Sequence, residues 1–475
     1  MFDVILYRDV GMLTVPNILK KDKLKVVLLI MILTIFSLSM WNWYDISIFE
    51  NWVRVSKYAS LYKIYEIPLS LGNISYRVVY PPIPPLIYIG THWLVDAFIS
   101  ALNSVSKSMP SVGQTLLMVA DHLVRGAMKL PLLIFTVALA ILLWKKFGSE
   151  AFYWVVIGVP TLVTLANYQF DPLVAFFLYL AIIVLEVPRV GIYLSSISTA
   201  LVVLTKPLAA VSLVPLIYYI YRKTKIRGLV QYITVASIVV LLLVLPFFLA
   251  NPYAFIYNVV LFHSGRAPQY VSLWNIFVLL SGRNSEVIRL INVVWLPVML
   301  AVIVGAFLLL KKRIKIDNKD EVILATLILL SLVLVFNKVV NPNYLLWAYP
   351  LIVHLAFSYR LKLRSTLLTY NVAAVLATLW GGLYMLIPAL VNNVVVIEET
   401  GELLPARTFI YKSLDTPINE TVQNLISLGE KYYSYVKLVE SYTNVIGAVL
   451  ILAYNLVMFT LVGKLVRVYL ERPKE

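Results

Sequence analysis

The sequence predicts an all-α integral membrane protein, a polytopic bundle of about twelve transmembrane helices. Hydrophobic residues make up 61% of the 475 residues, whereas soluble domains contain ~45–50%. Apolar runs recur along the chain, and most are long enough to cross a bilayer with some tilt or local thinning. Clusters of lysine and arginine occupy the short segments between alternate runs, and this pattern fixes the orientation of membrane helices.

Composition argues against several functions. A formal net charge of +16 would suggest nucleic-acid binding in a soluble protein, but here the basic clusters lie in short turns between apolar runs, so we expect no nucleic-acid partner. The sequence contains no cysteine, which excludes a disulfide framework, a thiol nucleophile and a zinc–thiolate site. Segment 1–25 does not resemble a cleaved signal peptide, and we expect it to face the cytoplasm.

The predicted helices alternate in direction across the membrane. The basic cluster KKDKLK at 20–25 keeps the N-terminus inside, so the first helix runs outward. The predicted helices cover about 26–40, 126–144, 150–166, 172–187, 191–204, a run ending at 221–228, 229–249, 291–310, 322–337, a run ending at 359–364, 366–388 and 443–463. Both chain ends are then cytoplasmic.

Three long segments are predicted on the extracytoplasmic face, namely 41–124, 250–287 and 389–441. Within the first, 80–102 begins with four prolines and contains His92 and Asp96. These features favour a juxtamembrane helix, and a full membrane span is the alternative. We therefore divide the chain into the cytoplasmic segment 1–25, a core over 26–365 and C-terminal helices over 366–475, with no clear internal repeat.

The stretch 41–85 contains the first candidate for a chemical role. It is too polar to cross a bilayer, and it is rich in tryptophan and tyrosine, which favour the membrane–water interface. A carboxylate, Asp45, lies among these aromatic residues just beyond the first helix. We interpret the stretch as a catalytic loop on the outer surface. The alternative is an interfacial belt in which Asp45 is a helix N-cap.

Further polar residues fall at predicted outer helix ends or in outer loops, and each has a simpler structural explanation. Lys206 is explained as a snorkelling lysine, and Asp171 as an N-cap followed by Pro172. His263 and Arg266 are three residues apart, would share a helix face, and could bind lipid headgroups. Asn341, in the turn sequence 341–343, and Tyr344 complete the set. Their common side indicates one shared site.

The order of these segments resembles the GT-C class of membrane glycosyltransferases, which take a sugar from a polyprenyl-phosphate carrier. Asp45 is similar to the first-loop aspartate of that class, and YRVVYPPIPPLIY, which contains Tyr80, to its "Y…YPPL" stretch. ANYQFDPLVAFFLYLAIIV, LTKPLAAVSLVPLIYY, LFHSGRAPQYVSLWNIF and NPNYLLWAYPLIVH resemble later motifs. The last two are similar to dolichyl-phosphate-mannose mannosyltransferases, which include the enzyme adding the first mannose of GPI anchors. The resemblance covers roughly residues 26–360.

The resemblance implies a hexosyltransferase, most simply a mannosyltransferase, with an inverting mechanism and its active site on the extracytoplasmic face of the plasma membrane or an endoplasmic-reticulum-like membrane. The donor would be a polyprenyl-phosphate sugar, and the acceptor a lipid-linked glycan, a glycolipid or a protein. Asp45 would be the base, and Arg266 and Lys206 would bind the phosphate.

His263, Asp171, Tyr80 and Tyr344 would complete substrate binding. Members of the GPI branch carry an Asp-x-Asp pair in the first loop, whereas this chain has Asp45-Ile46-Ser47 and so only the first carboxylate. We therefore expect no cofactor. Binding of a divalent metal is the alternative, which the sequence does not support.

Two other classes compete with this prediction. A transporter or lipid flippase usually places ionisable residues and Gly- or Pro-broken helices at the membrane midplane. Here only 18 glycines occur, and the inner halves of the predicted helices carry almost no charge. A non-catalytic membrane assembly subunit would need no base at position 45. Loss of sugar transfer on changing Asp45 would separate the enzyme from both competitors.

Overall fold

The computed structural model describes residues 18–40, 48–50, 52–53, 55–57, 60–66, 69–71, 74–76, 78–108, 124–313, 316–359, 364–391, 394–396, 403–405 and 433–470. In this part of the chain helices dominate. The helices before residue 206 are α1 (Ile18–Ser39), α2 (Ile83–Ser108), α3 (Leu130–Phe147), α4 (Ser149–Ile157), α5 (Val159–Ala166), α6 (Asp171–Ile183) and α7 (Gly191–Val203). This agrees with the predicted all-α class.

The second half of the chain adds ten helices within the described ranges. They are α8 (Pro207–Ala210), α9 (Val214–Ala250), α10 (Pro252–Ile256), α11 (Phe262–Gly265), α12 (Leu273–Leu280), α13 (Ser285–Arg313), α14 (Lys319–Phe336), α15 (Leu345–Ser358), α16 (Arg364–Val391) and α17 (Tyr433–Leu470). Short 3-10 turns occur at Leu61–Lys63, Val211–Leu213 and Pro342–Tyr344, and a π-helical turn at Tyr257–Leu261.

Strands in the described ranges occur as three short pairs. β1 (Leu69–Leu71) and β2 (Ile74–Tyr76) are antiparallel, as are β5 (Val394–Val396) and β6 (Leu403–Pro405). β3 (Gln269–Tyr270) and β4 (Val339–Val340) are parallel, with Gln269 opposite Val339. The parallel pair of β3 and β4 joins segments that are distant in sequence, and it lies beside the candidate site.

The predicted count of twelve transmembrane helices is not confirmed. By length and composition, five described helices can cross a membrane, namely Val124–Phe147, Pro207–Ala250, Ser285–Arg313, Ser365–Tyr384 and Ser441–Arg467. A sixth span results if α4 and α5, which meet at a 45° bend, are counted as one. The chain is thus a membrane protein, with several helices of spanning length in its described part.

Short helices account for much of this difference. α6 and α7 have 13 residues each, a length of about 20 Å, whereas the hydrocarbon core is ~30 Å thick. α14 has charged residues in its first turn, and every residue from Glu321 to Val335 is buried. An apolar run enclosed by protein gives the same hydropathy signal as one that faces lipid, so hydropathy alone does not decide which of these runs cross the membrane.

Local backbone features mark two helix boundaries. The run Pro207–Ala250 is interrupted at Lys225, whose φ of 58° is not helical, and this break agrees with the turn predicted at 221–228 between the sixth and seventh helices. The bend between α4 and α5 occurs at Gly158, where a Cβ atom would lie 2.3 Å from the ring of Tyr349. Glycine is therefore required there because the tyrosine ring packs directly on the backbone. α2 has 26 residues and is not among the helices apolar enough to span.

Candidate active site

The first part of the site is a buried ion pair between the beginnings of two helices. Asp171 is the first residue of α6, and Lys206 directly precedes α8. Lys206 Nζ donates to Asp171 Oδ1 over 2.8 Å, and the two side chains are 6% and 0% exposed. Trp347 Nε1, on α15, donates to the same oxygen over 2.6 Å. These contacts join three helices around one carboxylate.

Aromatic rings surround the ammonium group of this pair. Lys206 Nζ lies 4.1 Å from the ring centroid of Tyr344, 4.7 Å from that of Phe170 and 5.4 Å from that of Trp347. The rings of Tyr344 and Trp347 are stacked, with centroids 4.4 Å apart. Cation–π attraction of this kind offsets part of the cost of burying the charge.

Both of the simpler explanations from the sequence are therefore wrong. Lys206 does not snorkel, because its ammonium group is buried against a carboxylate and three rings. Asp171 is not an N-cap, because Phe170 occupies that position and makes no side-chain capping hydrogen bond. The turn predicted at 341–343 is confirmed in outline as a 3-10 turn over Pro342–Tyr344.

Tyr80 connects this ion pair to the segment that contains His263. Its ring makes an edge contact with Phe170, with centroids 4.6 Å apart, and lies 6.0 Å from the His263 ring. The Tyr80 carbonyl accepts a hydrogen bond from the hydroxyl of Tyr65 over 2.7 Å. The backbone of Tyr80 is therefore held in place, and its ring lies between His263 and Phe170, the residue next to Asp171.

His263 is buried against the backbone of the segment before α2. Its Nε2–H donates to the Val79 carbonyl over 2.6 Å. Burial, together with the charges of Arg266, Lys206 and Lys338 and against the Val79 carbonyl, lowers its pKa to about 4, which favours the neutral imidazole at pH 7. The helix face that the sequence predicted for His263 and Arg266 is wrong, because α11 ends at Gly265 and Arg266 is extended.

Arg266 is buried, at 3% exposure, and its Nη2 donates to Gln269 Oε1 over 2.7 Å. Lys338, which the sequence did not single out, lies in the same region. Its Nζ donates to Asn292 Oδ1 over 2.7 Å and to the Ser264 carbonyl over 2.5 Å. Burial, and then the charge of Arg266, lower the pKa of Lys338 to about 7. Two basic side chains, Arg266 and Lys338, are therefore buried close enough to repel each other.

The structure brings together six of the seven residues chosen from the sequence. Contacts connect Tyr80, Asp171, Lys206, His263 and Tyr344 directly or through Phe170, and the charge of Arg266 acts on His263. We call these six residues together with Lys338 the basic cluster. Asp45 lies outside the described residues. The signal that could have found Lys338 is a lysine placed immediately after an apolar run and before Asn341.

Lys129 joins the ends of two helices that lead toward the candidate site. Its Nζ donates to the carbonyl of Ser37 over 2.8 Å and to that of Leu165 over 2.6 Å. The carbonyls of Met40 and Ala166 also accept from it. One buried ammonium thus joins the C-terminal ends of α1 and α5. Met40, the last residue described before position 48, therefore lies beside the turn that leads to Asp171.

A second polar cluster lies near the opposite ends of α14 and α15. His354 Nδ1 lies 2.8 Å from the hydroxyl of Tyr179, and His354 Nε2 lies 3.0 Å from Asp320 and 3.3 Å from Lys146 Nζ. Lys319 pairs with Glu186 nearby. The sequence had suggested almost no charge here, because these residues stand at helix ends in sequence and meet only in the folded chain.

No family model, no curated protein and no solved structure matches this chain. Within the described ranges, no group of three or more histidine, aspartate or glutamate residues is placed to hold a metal ion.

Proposed function

We propose that this protein is a GT-C-type membrane glycosyltransferase. It moves a hexose, most simply mannose, from a polyprenyl-phosphate carrier to a lipid-linked glycan, a glycolipid or a protein on the extracytoplasmic face. The basic cluster binds the phosphate of the carrier, and the prenyl tail lies in the surrounding lipid.

The observation that supports this proposal most strongly is the convergence of buried cations. Lys206, Arg266 and Lys338 come from three segments that are distant in sequence, and each is at most 6% exposed. Burying a cation costs several kcal/mol unless an anion or hydrogen-bond acceptors compensate. Asp171 compensates Lys206, whereas Lys338 is held by neutral oxygen atoms. A phosphate group would supply the missing negative charge.

The residues suit glycosyl transfer in a specific way. The acceptor oxygen attacks the anomeric carbon while the bond from that carbon to the phosphate oxygen breaks, and the bonding electrons leave with the phosphate. Arg266 offers a planar fork of donors to the phosphate, and Asp45 takes the acceptor proton as general base. A single displacement inverts the anomeric centre. Asp171 pairs with Lys206 and holds it in place beside Tyr344.

Reconstitution tests the proposal directly. The full chain in liposomes receives a polyprenyl-phosphate hexose carrying a radiolabelled sugar, together with native lipid extract. We expect a labelled product whose formation is lost in Arg266→Ala and retained in Lys312→Met, because Lys312 is an exposed residue near the far end of α13. If the donor stays intact in every sample, with several different hexoses and lipid extracts, the proposed glycosyltransferase activity is refuted.

A lipid-phosphate flippase is the second candidate, favoured by two observations. α4 and α5 form a broken helix pair bent by 45°, and broken helices are common in transporters. The buried contacts of His354 with Asp320 and Lys146 also place ionisable groups far from the basic cluster. The same liposomes distinguish the two functions, because a flippase moves the labelled donor across the bilayer without cleaving it.

A further inference from the structure

Lys338 holds the backbone that precedes Arg266. It lies just beyond the end of α14 and is 1% exposed. Its Nζ donates to the Ser264 carbonyl and to Asn292 Oδ1, and Asn292 Nδ2 donates to the Gly265 carbonyl over 3.1 Å. The two carbonyls immediately before Arg266 are therefore bound by one lysine and by the asparagine that this lysine contacts.

The main chain of Lys338 holds the other side of the same turn. The Gln269 amide donates to the Lys338 carbonyl over 2.8 Å, which begins the parallel pairing of β3 with β4. Gln269 in turn accepts from Arg266 Nη2 through its side chain. The position of Arg266 is thus fixed from both sides by contacts that lead to Lys338.

We propose that Lys338 is a positioning residue of the phosphate site, which orients Arg266 and adds the charge that favours a dianionic phosphate monoester over a monoanionic diester. The inference rests on the proposed function, in which Arg266 binds the carrier phosphate. The donor is a phosphodiester with one negative charge. The leaving group is a phosphate monoester, which carries about −1.5 to −2 at pH 7.

The groups around Lys338 support this assignment. Trp295 and Asn292 face it from α13, with the Trp295 ring centroid 5.1 Å from Nζ, and Ser264 and the charged Arg266 face it from the loop after α11. Burial and Arg266 lower the pKa of Lys338 to about 7. A bound phosphate offsets the charge of Arg266 and adds an attractive one, so it raises this pKa.

The sign of the pH dependence follows from proton linkage. The complex binds more protons than the free protein, so the affinity is fully present below about pH 7 and falls as the pH rises above the pKa of free Lys338. The fall approaches about tenfold per pH unit until the pKa of the complex is reached. The ligand contributes nothing above pH 7.5, because the second pKa of a phosphate monoester is about 6.

Equilibrium binding to the purified full-length protein tests the inference. The probes are citronellyl phosphate, a short prenyl monoester, and its methyl diester, each measured between pH 7.5 and 9.5. The wild type is expected to lose affinity for the monoester across this range. Lys338→Met should bind the monoester roughly tenfold to hundredfold more weakly at pH 7.5, because it removes a positive charge beside the phosphate and loosens Arg266, whose own charge-assisted hydrogen bond is then weakened.

Two further variants separate charge from simple structural support. Lys338→Arg stays charged at every pH used, so it should retain binding and lose the pH dependence. Lys312→Met should behave as the wild type. A pH dependence that is unchanged in Lys338→Arg would overturn the inference, as would equal weakening of monoester and diester in Lys338→Met.

Failure of the proposed function gives a different result. If Arg266→Ala binds both probes as the wild type does, Arg266 does not bind the phosphate and the site itself is wrongly assigned. If Arg266→Ala weakens binding while Lys338→Met does not, the phosphate site stands and only the role of Lys338 is wrong.

Discussion

The ion pair of Asp171 and Lys206 gives the sharpest prediction about stability. At an effective dielectric constant of ~20, attraction over the 2.8 Å between Oδ1 and Nζ is about 6 kcal/mol before the cost of desolvation. Removing one partner of such a buried pair typically costs ~3–5 kcal/mol, because the other charge stays buried. We expect Lys206→Met to fall in this range, since the carboxylate retains only the Trp347 donor among these contacts.

Asp171→Asn is expected to be milder. Its side-chain oxygen still accepts from Trp347, and Lys206 retains three aromatic rings, each contributing ~0.5–2 kcal/mol. We therefore expect a loss of about 1–3 kcal/mol. The double variant should lose about 2–3 kcal/mol less than the sum of the single losses, because it leaves no buried charge unpaired.

The measurement is the free energy of unfolding in mixed micelles, followed by tryptophan fluorescence during a denaturing-detergent titration. The matched control is the exposed pair of Lys57 and Asp96, whose side chains are 45% and 37% exposed and whose coupling should stay within ~0–1 kcal/mol. Coupling of Asp171 with Lys206 below ~0.5 kcal/mol, or a larger loss for Asp171→Asn than for Lys206→Met, would refute the argument.

Three further predictions follow. Asp45→Asn should lower transfer by ~10²–10⁴-fold, the usual contribution of a general base, with unchanged yield and elution volume; near wild-type turnover would remove Asp45 from the mechanism. Arg266→Ala should lower turnover more than donor binding, because the phosphate gains charge during transfer. Arg266→Lys should recover only part of it, and full recovery would favour a lipid anchor. A single cysteine at Ser281 should react with an impermeant thiol reagent in intact cells, whereas one at Lys312 should not; the reverse pattern would contradict the topology.

The sequence was sufficient to choose most residues of the basic cluster but not to predict their contacts. Asp171 and Lys206 are 35 residues apart, and both stand beside a proline that begins a helix. That local pattern predicts caps and helix starts equally well. Only the packing of α6, α8 and α15 brings the two charges together, and nothing in the spacing of these residues encodes it.

Lys338 is the residue of the basic cluster that the sequence did not predict. In the sequence it is a single lysine after an apolar run, which most often marks a helix end near water. Its burial depends on α13 and on the pairing of β3 with β4, two features formed by segments about 46 and 70 residues earlier in the chain. The predicted count of twelve spans is not confirmed for a related reason, since hydropathy does not distinguish helix α14, enclosed by protein, from helices that face lipid.

The most direct test of the central claim is the stoichiometry of bond cleavage in liposomes that contain the purified chain. The donor carries one label on the sugar and another on the prenyl phosphate. The proposed transfer predicts one molecule of free prenyl phosphate for each molecule of glycosylated acceptor, with both amounts falling together in Arg266→Ala and unaffected in Lys312→Met. Movement of doubly labelled, intact donor across the bilayer, with no free prenyl phosphate in any sample, would contradict it.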